Sequence, residues 1–391
     1  MNSIHFGWLV VIALVITSLI YRPCLNFAKR HNIVDHPNKR KLQDHPVPVF
    51  GGTTVVLGML IPLICTIYFF NATELWYALG AILVLWCIGV LDDIYGLSAS
   101  LRFILELGII WILLWQPTMQ TNGLMLNDLG GLWGRNEISH FTTIPLTLIA
   151  GVGIINSINL IDGVDGYSSG YGIVANIIFA LIFFLVGAQA MGMLALITAA
   201  SLIPFYLHNV FGKTSKMYIG DGGSLVIGFV LAYNVLAMLD SGSVCHILEQ
   251  QNVGLVALSL AILCIPVFDT LRVMVARLCH GISPFTPDKT HLHHLFIDMG
   301  FSHVATSTSI ILLQLLIIAL WYISFLCGLS IDGQFYLVIL LGLSVCGSYY
   351  YMRHCQKVNN ACWKRCCQFG EQTHGEKGAI WLHIQQFIDK L

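Results

Sequence analysis

The residues that could do chemistry in this 391-residue chain fall into four groups, and each group lies where an apolar segment ends. Charge is costly near the hydrocarbon of a bilayer, so ionisable residues in such positions are functional candidates. Acids and amides offer oxygen ligands to a hard cation, and histidines can bind phosphate or a metal. In chain order the groups are Asp92-Asp93, then Asn156, Asn159, Asp162 and Asp165, then Gly220-Asp221, and finally His291, His293 and His294.

Asp92 and Asp93 close the third apolar segment of the chain. Neighbouring like charges raise the pKa of one carboxyl, which suits a general base, and oxygen ligands suit Mg²⁺. The pair is therefore a candidate base or cation site. A solvated helix end is the structural alternative.

Asn156, Asn159, Asp162 and Asp165 are spaced by three residues, and a glycine follows each aspartate. On a helix this spacing predicts a polar stripe along one face. The glycines let the backbone turn or approach a ligand closely. Such a stripe of oxygen acceptors favours metal and phosphate-ester chemistry, and hydrogen bonding between helices is the structural alternative.

Gly220 and Asp221 directly precede the eighth apolar segment. Free backbone N–H groups at a helix N-terminus attract anions, and Asp221 could bring a cation to the same phosphates. A capped helix start without a ligand is the alternative.

The loop that begins at Arg277 contains the three histidines of the last group. If this segment is extended, His291 and His293 lie on one side and His294 faces away. Phosphate binding, metal binding and a solvated loop are the three interpretations. The cationic neighbours of the histidines, including Arg277, favour phosphate.

Three further features complete the set of candidates. Lys41 lies in a basic stretch that can bind phosphate, attract anionic lipid or only anchor the chain. Asn209 ends the seventh apolar segment and can hydrogen-bond a nucleotide or cap a helix. Asp269 and Arg272 are three residues apart in the ninth segment, which predicts an ion pair that seats this helix.

The composition of the chain indicates which kind of secondary structure positions these residues. The chain is 57% hydrophobic and 10% charged, whereas soluble domains carry about 25% charged residues. This predicts an all-α polytopic membrane protein, with residues 1–352 in the membrane domain and a basic tail at 353–391. About eleven apolar runs approach the roughly 20 residues that a spanning helix needs, at about 4–22, 49–70, 75–91, 101–117, 143–161, 171–188, 190–207, 222–239, 254–276, 304–327 and 334–352.

The distribution of Lys and Arg predicts the orientation of these helices. With the N-terminus outside and eleven crossings, eighteen of the nineteen basic residues lie on the cytoplasmic side, and only Arg135 lies outside. An even number of crossings would destroy this asymmetry. The four groups of candidate residues then share the cytoplasmic side with the C-terminus.

Taken together, five segments resemble, in the same order, the polyprenyl-phosphate N-acetylhexosamine-1-phosphate transferases of glycosyltransferase family 4. They are DHPNKRK at 35–41, LDDIYG at 91–96, NSINLIDGVDG at 156–166, YIGDGGS at 218–224 and SPFTPDKTHLHH at 283–294. The last segment is most similar to the bacterial branch that forms lipid-linked N-acetylglucosamine for envelope polysaccharides. The resemblance implies transfer of a sugar 1-phosphate, most simply GlcNAc-1-phosphate, from a UDP-sugar to undecaprenyl phosphate, with release of UMP.

The resemblance also implies a role for each candidate residue. Asp92 and Asp93 position or deprotonate the acceptor phosphate, while Asp162 and Asp165 line the nucleotide-sugar pocket. Asp221 is the expected Mg²⁺ ligand, with Asn159 as the second, and Mn²⁺ can replace Mg²⁺. The family often has a lysine where Ser100 stands, so Lys41 or Arg102 is expected to supply that cation. The substrate-binding set is completed by Asn156, Asn209, Tyr218 on uracil, and Arg277, His291, His293 and His294 on the diphosphate.

The implied partners are a UDP-N-acetylhexosamine, undecaprenyl phosphate and membrane lipid, with no nucleic acid, and a homodimer is compatible with the sequence. The implied location is the bacterial cytoplasmic membrane. Two alternatives stay open. One is the related phospho-MurNAc-pentapeptide transferase that makes lipid I, and the other is a secondary transporter that uses the acids as ion sites. Transporters typically carry internal repeats and helices broken at the midplane, and the sequence has no apparent repeat.

Overall fold

The computed structural model describes residues 4–36, 45–116, 123–284, 286, 288–374 and 378–391, so Lys41 lies outside the described residues. Two short antiparallel strands, β1 (Val34–Asp35) and β2 (Val47–Pro48), join the first two helices. The α-helices are α1 (Ile4–Arg30), α2 (Gly51–Phe70), α3 (Leu75–Tyr95), α4 (Ala99–Leu113), α5 (His140–Leu160), α6 (Tyr167–Leu185), α7 (Gln189–Phe211), α8 (Asp221–Leu239), α9 (Leu255–Ile262), α10 (Cys264–Cys279), α11 (Leu292–Asp298), α12 (His303–Leu326), α13 (Ile331–Val358), α14 (Ala361–Gln372) and α15 (Ala379–Ile388).

Each predicted apolar run forms a helix or a helix pair, which confirms an all-α polytopic membrane protein. Among the described residues, nine helices are long and apolar enough to cross a membrane, and the α9–α10 pair makes up to ten. The remaining run forms α4, whose 15 residues extend only about 22 Å. This is shorter than the roughly 30 Å of a hydrocarbon core, and it accounts for the difference from the predicted eleven.

The helix α8 lies at the centre of the bundle, with seventeen of its nineteen residues buried. It packs against α2, α3 and α5. The contact is closest at its first turn, where a Cβ on Gly89 of α3 would lie 2.3 Å from the Gly222 nitrogen. A glycine is therefore required at position 89 to bring the ends of α3 and α8 together.

The helices α9 and α10 meet at a bend of 76° around Leu263. A break inside a bilayer frees backbone groups that must find other partners. Gln314 of α12 supplies them, because its side chain accepts a hydrogen bond from the Ile265 nitrogen at 2.9 Å and donates one to the Ala261 carbonyl. Tyr171 donates to the neighbouring Ile262 carbonyl at 2.5 Å. Side chains from neighbouring helices therefore stabilise the bend.

The helix α13 runs through the predicted start of the tail at residue 353 and ends at Val358. Beyond it, α15 packs against the end of α7, where the rings of Trp381 and Phe211 lie 4.8 Å apart. The C-terminal helix therefore lies at the same end of the bundle as the candidate residues.

Candidate active site

Asp93 holds the first turn of α8. Its Oδ1 accepts a hydrogen bond from the Asp221 nitrogen at 3.0 Å, and its Oδ2 accepts one from the Gly222 nitrogen at 3.3 Å. Gly220 makes this approach possible, since its φ is +69° and a Cβ there would lie 2.3 Å from the Asp93 Oδ2. The backbone N–H groups that follow the predicted glycine turn therefore bind the Asp93 carboxylate, and the N-terminus of α8 faces the acidic pair.

Arg102, in the first turn of α4, joins two acids from different helices. Its Nη1 lies 2.7 Å from the Asp92 Oδ2 and 2.8 Å from the Asp221 Oδ2. Its Nε lies 3.9 Å from Glu106, a buried acid that also accepts a hydrogen bond from Asn156. Arg102 therefore lies between the acidic pair and the first turn of α8.

Asn159 and Asp221, the predicted metal pair, are direct neighbours. The Asn159 amide nitrogen donates to the Asp221 Oδ1 at 2.6 Å and to the Ser224 hydroxyl at 2.9 Å. The amide oxygen of Asn159 is therefore the atom of this side chain that could coordinate a cation. Asp221 would have to exchange one of its present partners for the ion.

Asp162 and Asp165 do not continue a helical stripe, because α5 ends at Leu160 and both lie in the turn before α6. The prediction of one continuous stripe is wrong for these two residues, and the glycines in the turn explain the early end of the helix. Burial raises the pKa of Asp162 to about 7, although a hydrogen bond from Ser168 opposes the shift.

Asp165 has the opposite electrostatic environment. Lys216 Nζ and His303 Nδ1 lie 2.6 Å and 2.9 Å from its Oδ2. Burial alone would raise its pKa, but the hydrogen bond and charge of His303 and the charge of Lys216 outweigh burial and lower it. Asp165 is therefore a stable anion, whereas Asp162 exchanges a proton near neutral pH.

The aspartates described above line one cavity of about 480 Å³. Six carboxylates line it, together with Tyr218, Asn209, His294 and His303. Asn209 bridges two loops there, because its Oδ1 accepts from the Gly166 nitrogen at 2.7 Å and its Nδ2 donates to the Met217 carbonyl at 3.0 Å. The six acids are Asp35, Asp92, Asp93, Asp162, Asp165 and Asp221.

The acids of the cavity suit a hard cation that retains water. Among the described residues, one set of three ligand groups converges tightly enough to enclose an ion, namely Asp128, His246 and Glu249, beyond the other end of α8. The cavity acids do not converge in this way. Mg²⁺, however, is usually held by one or two carboxylates together with waters and substrate phosphates. The cavity acids therefore suit a partly hydrated Mg²⁺ better than an ion held entirely by protein ligands.

The histidine loop differs from the extended segment that was predicted. His291 precedes the short helix α11, and its Nδ1 lies 2.9 Å from the Asp269 Oδ2. Asp269 also pairs with Arg272 at 2.6 Å, which confirms the predicted ion pair. The prediction that His294 faces away is wrong, because His294 lines the cavity, and helix geometry in place of strand geometry is the reason.

His293 is fully enclosed behind the cavity wall. A Cβ on Gly163 would lie 2.5 Å from its Nε2, and its ring centroid is 4.2 Å from that of His294. Burial, with the neighbouring imidazoles His294 and His291, holds the pKa of His293 well below its usual value. His293 is therefore a neutral ring that supports the wall between the acids and the loop.

A second, apolar cavity of about 940 Å³ lies between α4, α5, α9 and α10. Among the described lining residues the charged ones are Arg102 and Arg277, and Asn156 also lines it. Arg277 is held by Asp288, 3.0 Å from its Nε. Asn156, Arg102 and Arg277 thus line this apolar groove, whereas the aspartates line the polar cavity and Asn159 contacts it through Asp221.

Sequence reasoning missed Lys216 and His303, the two partners of Asp165. Lys216 stands two residues before Tyr218, just outside the YIGDGGS segment, and its ammonium lies 5.8 Å from the Tyr218 ring centroid. That proximity in sequence was an available signal. His303 begins α12, and no local pattern links it to residue 165.

A family model described as Glycosyl transferase family 4 matches residues 75–239. The chain is similar to the undecaprenyl-phosphate alpha-N-acetylglucosaminyl 1-phosphate transferase of Yersinia pestis, with 30% identity over 274 residues, covering 69% of this chain and 71% of that protein. The protein of the same name from Escherichia coli (strain K12) is 28% identical over 309 residues, covering 77% and 79%. A probable undecaprenyl-phosphate N-acetylglucosaminyl 1-phosphate transferase of Bacillus subtilis (strain 168) is 28% identical over 300 residues, covering 75% and 79%.

Proposed function

Because the chain belongs to glycosyl transferase family 4, we propose that it transfers N-acetylglucosamine 1-phosphate from UDP-N-acetylglucosamine to undecaprenyl phosphate, with release of UMP. The names of the relatives support the acceptor and the transferred group. They also favour this reaction over lipid I synthesis and over transport. The product would start a lipid-linked polysaccharide in a bacterial cytoplasmic membrane.

The observation that carries the proposal is the junction between the two cavities. The polar cavity contains Asp92 and Asp221, the apolar groove contains Arg102, and Arg102 contacts both acids. A nucleotide-sugar is polar and anionic, whereas a polyprenyl phosphate has a long apolar chain and an anionic head. The two compartments match the two substrates, and they meet where the phosphates must react.

The reaction is a phosphoryl transfer. An oxygen of undecaprenyl phosphate attacks the sugar-bearing β-phosphorus of the donor, and a new P–O bond forms. The bond between this phosphorus and the bridging oxygen breaks, and UMP leaves with that oxygen. Arg102 and Arg277 stabilise the acceptor phosphate from the groove, since positioning and charge stabilisation supply most of the catalysis in such reactions.

The two acids of the pair, Asp92 and Asp93, have different proposed roles. Asp92 is paired with Arg102 and orients it, whereas Asp93 accepts only backbone N–H groups in the hydrogen bonds described. We assign to Asp93 the removal of a proton from the acceptor phosphate where one is present. Asp221 and Asn159 are the residues that would hold Mg²⁺, which, when bound, neutralises charge on the donor diphosphate.

The same contacts support eleven crossings with the N-terminus outside. Asp93 at the end of α3, Asn159 near the end of α5 and Asp221 at the start of α8 lie together. The chain must therefore change sides between α3 and α5, and α4 is the described helix in that interval. The bent α9–α10 pair returns the chain from the far end of α8 to the histidine loop.

The test is UMP release by the purified protein in detergent, with undecaprenyl phosphate, Mg²⁺ and a panel of donors that includes UDP-GlcNAc, UDP-GalNAc and UDP-MurNAc-pentapeptide. We expect lipid-dependent release with UDP-GlcNAc that stops when EDTA is added. Asp93→Asn and Asp221→Asn should abolish it, and Asp332→Asn, whose carboxylate accepts from the Trp133 nitrogen away from the site, is the matched control. Absence of release with every donor from folded protein would reject the proposal.

A further inference from the structure

The carboxylate of Asp389, near the end of the tail, is bound by the loop that follows α7. It accepts hydrogen bonds from three successive backbone nitrogens, with shortest distances of 3.0 Å to Lys213, 3.1 Å to Thr214 and 3.0 Å to Ser215. The Ser215 hydroxyl adds a fourth bond of 2.8 Å. Burial alone would raise the pKa of Asp389, but these hydrogen bonds together outweigh burial and lower it. Consecutive N–H groups that converge in this way form an anion-binding nest.

The bound loop leads directly into the candidate active site. Ser215 is buried, its carbonyl accepts from the Tyr21 hydroxyl at 2.8 Å, and its hydroxyl lies 3.0 Å from the His208 Nδ1. The next residue, Lys216, places its Nζ 2.6 Å from Asp165 in the cavity. The nest therefore fixes the backbone one residue before the cation of the donor site.

We propose that Asp389 is a positioning residue for the transferase reaction: by closing the nest at residues 213–215, the tail holds Lys216 against Asp165 at the donor side of the cavity. This inference rests on the proposed function. It gives a catalytic purpose to a tail for which the family motifs offer no role. It also gives a reason for the contact between the end of α15 and the membrane domain, in which Arg22 of α1 donates to the Asp389 carbonyl.

A carboxylate suits the nest best, because the nest offers only donors: Oδ1 accepts from all three nitrogens, and Oδ2 also accepts from Lys213 and Thr214 at 3.3 and 3.2 Å. Asp389 provides two oxygens that accept, whereas an asparagine would place an NH₂ group against backbone N–H groups. Lys216 would then lose the fixed backbone from which it reaches Asp165. The effect should fall on the donor, since Asp165, the partner of Lys216, lines the polar cavity, while the acceptor groove is lined by Arg102 and Arg277.

The experiment compares full-length Asp389→Asn with wild type and with Glu371→Gln, an exposed acid of the tail, as the matched control. Hydrogen–deuterium exchange should become faster at the amides of residues 213–215 in Asp389→Asn only. In the UMP assay the KM for UDP-GlcNAc should rise about tenfold, with little change in the KM for undecaprenyl phosphate. Asp389→Glu, which keeps the carboxylate, should recover most of this loss.

A second pair of variants separates positioning from general stabilisation. If Asp389 acts through Lys216, then Asp389→Asn should cause little further loss when it is added to Lys216→Met. Additive losses, or a uniform fall in kcat without a change in the donor KM, would overturn the proposal. So would wild-type kinetics of Asp389→Asn with accelerated exchange. Failure of the wild type itself to release UMP would instead reject the proposed function, and the exchange data would still report whether the nest exists.

Discussion

Replacement of Arg102 by methionine tests the junction between the two cavities most directly. The change keeps the length and apolar surface of the side chain but removes the guanidinium that contacts Asp92 at 2.7 Å and Asp221 at 2.8 Å. We expect the protein to fold and to lose most of its turnover. The loss should appear in kcat/KM for undecaprenyl phosphate, because Arg102 lines the apolar groove.

The expected loss of folding stability depends on how exposed the three charged side chains are. The side chains of Arg102, Asp92 and Asp221 are 19%, 9% and 30% exposed, so the two ion pairs are neither fully buried nor free in solvent. Breaking a buried pair costs about 3–5 kcal/mol and an exposed one about 0–1, which places the loss in folding stability near 2 kcal/mol. Loss of a preorganised donor to developing charge costs about 2.7 kcal/mol in the transition state, or about 100-fold in kcat/KM.

The assay is UMP release at varied undecaprenyl phosphate and saturating donor, with thermal unfolding in detergent as the measure of folding. Arg102→Lys keeps one positive charge but not the planar fork, so an intermediate loss of about tenfold is expected. Arg135→Met, an exposed arginine in the loop before α5, is the control and should resemble wild type. A folded Arg102→Met protein that keeps more than half of the wild-type kcat/KM would refute the role of the junction.

Three further predictions follow from the site. Because the pKa of Asp162 is raised to about 7, the carboxylate takes up a proton as the pH falls through 7, so kcat/KM for the donor should fall there, and Asp162→Asn should flatten this acid limb. Gly220→Ala should cost about 1–3 kcal/mol, because its φ of 69° with a ψ of 177° is essentially restricted to glycine, and should displace the acid of α3, whereas Gly80→Ala, which meets open space, should lack both effects in thermal unfolding and UMP assays. Asp269→Asn should lower the unfolding temperature by the equivalent of about 3–5 kcal/mol, because it leaves a buried arginine unpaired, while Asp298→Asn, in an exposed pair, should cost at most about 1 kcal/mol.

The sequence predicted the membrane domain well because hydropathy is a local property. Each apolar run became helical, and the acids at the ends of α3, α5 and the start of α8 came together as their common side required. Helix ends were less predictable, since the glycines after Asp162 and Asp165 end α5 before the polar stripe is complete. Partners that depend on distant segments could not be read locally, as the pairing of Asp165 with His303 shows.

The charge balance of the polar cavity gives a physical reason why the donor should need a cation to bind at all. Arg102 pairs with Asp92 and Asp221, and Lys216 pairs with Asp165. Asp93 is instead held by backbone N–H groups and Asp162 by a hydroxyl, so within the described part of the chain the hydrogen bonds to these two acids bring no compensating positive charge. At mildly alkaline pH, where both acids are ionised, an incoming diphosphate would meet this uncompensated charge in a partly enclosed site, where repulsion is only weakly screened. Mg²⁺ should therefore raise the affinity for UDP-GlcNAc as well as the rate, and calorimetric titration of the donor should detect binding with Mg²⁺ and lose it in EDTA. Equal donor affinity under both conditions would mean that the excess of acids has another purpose.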